Sequence, residues 1–93
     1  MPEISFQAAI WVDAETGNFR VQIRPYAFNG ARTYVAMMDS ERLSRFVTLC
    51  GADPQTVSGA VSPEKAFVLE GVEIDDANEL AGFGFALQQG TAR

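Results

Sequence analysis

Residues 4–24 read ISFQAAIWVDAETGNFRVQIR, and the spacing of apolar side chains in this stretch decides the fold class. Ile4, Phe6, Ala8, Ile10 and Val12 alternate with Ser5, Gln7, Ala9 and Trp11, which is the two-residue period of a strand with one face buried. Phe19, Val21 and Ile23 then alternate with Arg20, Gln22 and Arg24. Between the runs, Gly17-Asn18 offers a two-residue turn that accepts positive φ, so the segment reads as a β-hairpin. For both apolar sets to share a face, directly opposed residue numbers must sum to an odd value. A turn at Gly17-Asn18 meets that condition, pairing Thr16 with Phe19, Val12 with Ile23, Asp13 with Gln22 and Trp11 with Arg24.

Outward from the hairpin, Pro25 removes a ladder donor and calls for a bend or an edge, and Asn29-Gly30 marks the next turn. Arg32 to Met38 reads as a third strand. Asp39 is positioned to cap a helix in which Leu43, Phe46, Val47 and Cys50 fall at helical spacing before Gly51 ends it. Glu41 and Arg45, four apart, form a pair on its wet side. Residues 52–65 hold Asp53-Pro54, Ser58-Gly59 and Ser62-Pro63 and read as a connecting loop with one helical turn after Pro54. Ala66 to Ile74 is a fourth strand. Beyond it the signals divide. Asp76 with Glu79 makes a capping box, Leu80, Phe83 and Leu87 keep helical spacing and Gly90 suits a stop, whereas Phe83, Phe85 and Leu87 also alternate as a strand would. The expected fold is α+β, a single compact domain over residues 1–93. A small antiparallel sheet (a β1-β2 hairpin, β3 and β4) packs against one central helix, followed by a C-terminal helix with a fifth strand as the alternative.

Composition narrows the function. The 93 residues carry 7 Lys and Arg against 12 Asp and Glu, a net charge of −5. That balance argues against duplex nucleic acid as a partner, because affinity there comes from neutralising phosphates. No apolar run is long enough for a membrane span and residues 1–3 lack a basic signal region, so a cytoplasmic protein with no membrane partner is expected. The chain has no histidine, and its one cysteine, Cys50, therefore has no imidazole to activate it. Familiar serine and cysteine hydrolase mechanisms are not expected on that ground, a carboxylate-dependent enzyme is left as a minor rival without an assembled site, Cys50 reads as a buried free thiol, and neither an enzyme activity nor a cofactor is expected. Gly82-Phe83-Gly84 is too short for a phosphate-binding loop.

Charge is distributed unevenly. Between Lys65 and Arg93 there is no base, while Glu70, Glu73, Asp75, Asp76 and Glu79 place five acids within ten residues. Such a block cannot neutralise itself locally, so its field is available to a basic partner. Glu73, Asp75, Asp76 and Glu79 are dense enough to consider for a hard cation, but they lack the alternate-position acids and central glycine of the best-known calcium loop, and a helix cap with solvated neighbours explains them as well. Trp11 is the other candidate. It falls on the polar face of the first strand with Arg20 and Arg24, where an indole is either covered by another element or left open as an anchor.

The leading expectation is a non-enzymatic protein-binding module. Its partner-binding residues are Glu70, Glu73, Asp75, Asp76, Glu79, Trp11, Arg20 and Arg24, and its partner is a protein with a basic surface, such as a nucleic-acid-binding complex. A compact acidic domain without catalytic residues resembles, in profile and in no motif, phage-encoded inhibitors such as anti-CRISPR proteins, some of which present carboxylates where nucleic acid lies. The competing expectation is an OB-like protein that binds single-stranded nucleic acid on a Trp11, Arg20 and Arg24 platform, since a terminal strand gives the order of three strands, a helix and two strands. An exposed sheet edge also admits a homodimer.

Overall fold

The computed structural model describes residues 4–26 and 33–87. The expected turn at Asn29-Gly30, the start of the third strand at Arg32 and the stop at Gly90 lie outside them. Strands β1 (Ile4–Val12), β2 (Phe19–Pro25) and β3 (Tyr34–Met38) come first, then helices α1 (Ser40–Leu49) and α2 (Pro54–Ala60). Strand β4 (Phe67–Ile74), a 3-10 helix (Ala77–Phe83) and the two-residue β5 (Ala86–Leu87) complete the order. All strand pairs are antiparallel, in one sheet ordered β4-β1-β2-β3-β5. The α+β class read from the sequence is the class observed.

The hairpin register differs from expectation. Val12 stands opposite Phe19 and Trp11 opposite Arg20, so opposed numbers sum to 31 rather than 35. Parity is kept, which is why the apolar faces still coincide. The shift comes from side chains in the loop: Thr16 Oγ1 donates to Asp13 Oδ2 at 2.8 Å, and Asp13 N donates to Asn18 O at 2.8 Å. Asp13 thereby closes a longer loop, in which Gly17 supplies the left-handed residue (φ 77°).

Helix α1 starts where expected. The Asp39 carboxylate accepts from Arg42 N at 2.8 Å, and the helix ends in a Schellman arrangement, with Ala52 N bonded to Val47 O and Gly51 N to Thr48 O, both at 3.0 Å. Arg45 and Glu41 pair at 3.1 Å. Leu43, Phe46 and Val47 are its buried face. The expectation of one central helix needs correction, because α2 is a second helix and not a single turn. Pro54 starts it with a preset φ, and Val57 is buried in the same core.

The C-terminal helix also needs correction. Residues 77–83 wind as a 3-10 helix, and the chain then adds β5 against β3, so both signals in this segment were real. Three residues per turn align Leu80, which is buried, with Phe83, which meets Phe46 at 5.6 Å between ring centroids. Gly84 (φ 80°) stops the helix and turns Phe85 back onto Phe46 at 5.5 Å. Phe6 stacks on Phe46 at 6.3 Å between ring centroids. One cluster collects the core, including Ile10, Val21, Ile23, Phe46 and Val47, and every described helix contributes to it. Both α-helices and the 3-10 helix therefore pack on the face of the sheet that carries these side chains.

Candidate functional site

The opposite face of the sheet is the consequence. Ser5, Gln7, Ala9 and Trp11 of β1 pair with Glu73, Arg24, Gln22 and Arg20 respectively, so these residues point away from the core. Val35 and Met37 of β3 and Val68 of β4 join them by their pairing with Gln22, Arg20 and Ala9. No described residue of this face is buried, and no described element lies over it. Tyr26, Met37 and Val68, three of the four large apolar side chains exposed among the described residues, belong to it.

Trp11 is half-buried, and the guanidinium carbon of Arg20 sits 5.7 Å from the centre of its indole ring, a cation–π contact. The shifted register produces this neighbour: the sequence pointed to Arg24 as the residue opposite Trp11, and the structure puts Arg20 there. The stacking seals Arg20 Nε from solvent without a hydrogen-bond partner among the described residues. Arg24 is exposed and stands beside Gln7, where with Thr33 it borders a shallow hollow of about 170 Å³. Thus Trp11, Arg20 and Arg24 do share one surface, with the two arginines at different levels along β2.

The acidic residues follow the edge of the same sheet. Glu70 and Glu73 of β4 are exposed, as are Asp75 and Glu79 just beyond it, while Asp76 is half-buried. Asp76 caps the 3-10 helix, its Oδ1 accepting from Asn78 N at 3.0 Å. The β1-β4 register shifts between Phe6 and Ala8, and Gly71 within this bulge has φ 67°. Its N–H donates to the hydroxyl of Tyr26 at 3.1 Å. Tyr26 therefore reaches across β1 from the end of β2 and bonds the backbone of the bulge beside Glu70. Nothing in the sequence assigns Tyr26 a role; Gly71 inside an apolar strand is the available sign of a bulge. Among the described residues the ion pair is Arg45 with Glu41, so none of the five acids has a basic partner there.

Little else has the makings of chemistry. Cys50 is half-buried at the end of α1, and burial pushes its thiol up to about 12, which leaves it protonated and unreactive. Among the described residues no three His, Cys, Asp or Glu side chains converge to hold a metal ion, and no helix is long and apolar enough to cross a membrane. A cavity of about 220 Å³ opens between the sheet and the 3-10 helix, lined by Ile4, Ile23, Tyr34, Leu80 and Phe85 among others. Among the described residues its lining holds no carboxylate, thiol or amine. No protein-family model, curated protein or solved structure matches this chain.

Proposed function

We propose that the protein is a non-enzymatic protein-binding module, a small acidic inhibitor or adaptor of phage or mobile-element type acting in the cytoplasm. It engages a basic partner surface through Glu70, Glu73, Asp75, Asp76 and Glu79. One observation carries the reading: these carboxylates line the β4 edge and its exit, four of them exposed, without a basic partner among the described residues. Charge held outward in this way steers association with a cationic surface more than it stabilises the fold. A basic face of a nucleic-acid-binding complex fits that field. Affinity capture from the native host tests it. A bound protein rich in Lys and Arg supports the reading, and recovery of nucleic acid alone overturns it.

A second reading is favoured by the uncovered sheet face. Trp11 under Arg20, with Arg24 further along β2, is the combination of aromatic and cation on which single-stranded bases stack. The order of three strands, helical segment and two strands is that of an OB-fold, but β4 and β5 lie at opposite edges and the sheet is open. Under this reading a single-stranded oligonucleotide quenches Trp11 fluorescence at low salt and releases it as salt rises. An unchanged emission spectrum at low salt removes it.

A further inference from the structure

The uncovered face is striped by charge. On one side of β1 stands β4 with Glu70 and Glu73; on the other stands β2 with Arg20 and Arg24. Gln7 of β1 pairs with Arg24 and lies across from the bulge that begins at Glu70, so Arg24 and Glu70 flank the same residue from two strands away. No ion pair joins them. Between the stripes, β1 contributes Ala9 and Trp11, and β4 adds the exposed Val68.

Such a pattern is complementary to itself. A two-fold axis lying in front of the face and along β1 carries β4 of one copy over β2 of the other, and β2 over β4. Each residue keeps its level along the strands, so Arg24 of one copy meets Glu70 of the other, twice, with Trp11 near the axis. We propose that two copies of this chain pack through this face as an isologous β-sandwich dimer, aligned as sheets commonly pack. Like charges oppose in the alternative that joins two β4 edges, because Glu70 and Glu73 would approach their own copies. The footprint covers β4, β1 and β2 at a strand spacing of about 4.8 Å, which is only a few hundred Å² per copy. The contact therefore belongs below about 1,200 Å² of total buried surface, and the dimer is concentration-dependent. Asp75, Asp76 and Glu79 lie past the end of β4, outside the footprint.

Sedimentation velocity of the full chain, from micromolar to about 1 mM at low salt, tests this. The parent should dimerise, and R24E and E70R should each raise the dissociation constant at least tenfold by setting like charges together. Both positions are exposed, so each variant should keep the melting curve of the parent. Mixing R24E with E70R should recover a heterodimer, because both contacts then join opposite charges, and the R24E/E70R double variant should dimerise by itself. A parent that stays monomeric to about 1 mM overturns the proposal. So does association that neither reversal weakens, or a mixture that fails to recover it.

Discussion

Phe46 is the side chain on which both halves of the molecule rest, and its truncation should be the most damaging single change in the core. It is fully buried on α1 and touches Phe6 of the sheet at 6.3 Å, Phe83 of the 3-10 helix at 5.6 Å and Phe85 at 5.5 Å. Removing a buried phenyl ring costs about 3–5 kcal/mol in transfer and cavity terms. The lost ring pairs account for about 0.5–1.5 kcal/mol each beyond buried area, so the upper end of that range applies. Against a total stability of about 5–15 kcal/mol, Phe46→Ala should lower the melting temperature by roughly 15–30 °C or leave the chain unfolded at 25 °C. Urea denaturation followed by circular dichroism measures it. Phe83→Ala and Phe85→Ala, at half-buried positions, should cost less than Phe46→Ala. A Phe46→Ala protein within about 1 kcal/mol of the parent, or one more stable than Phe83→Ala, would refute the idea that the 3-10 helix and β5 are held by this ring.

Other expectations concern single sites. Cys50 should react slowly with a thiol reagent in the native protein at pH 8 and rapidly in denaturant; fast native labelling would contradict its protected state. Its thiol rises from an ordinary 9.0 to about 12 through burial, so above about 9 the unfolded chain releases this proton while the folded chain retains it. Stability should therefore fall as pH rises through that window, and a Cys50→Ser protein should lack this component in a pH series of denaturation curves. Gly71→Ala should destabilise by about 1–2 kcal/mol, since an added Cβ meets no atom within 4 Å and the left-handed φ of 67° is the sole penalty. A neutral outcome in thermal melting would show that the bulge is not held in that conformation.

What was legible in the sequence was set by period and by caps. Alternation over 4–12 and 19–24 gave the strands and their core faces, and Asp39 with Gly51 bounded α1, because these signals depend on a few adjacent residues. The hairpin register was not legible, since the Asp13–Thr16 hydrogen bond competes with the Gly17-Asn18 turn and parity alone cannot tell registers that differ by an even number of residues, four in this hairpin. The C-terminal signals fit a helix or a strand, and the segment is a 3-10 helix followed by a strand. Two glycines weaken an α-helix there, while Phe46 draws in both Phe83 and Phe85. The acidic block was visible as composition. That Tyr26 bonds the Gly71 bulge beside it was not, because the contact spans 45 positions and depends on the sheet order.

If the acidic edge of β4 steers a basic partner, as proposed, association kinetics will show it. The triple variant Glu73→Gln, Asp75→Asn, Asp76→Asn removes three charges, and asparagine at position 76 keeps an acceptor for Asn78 N, so the melting temperature should move by no more than a few degrees. With the partner recovered by capture, stopped-flow association at two salt concentrations should show a slower rate for the variant and a flatter dependence on salt. Equal rates and equal salt dependence in parent and variant would contradict the claim and leave the carboxylates as a solvated edge.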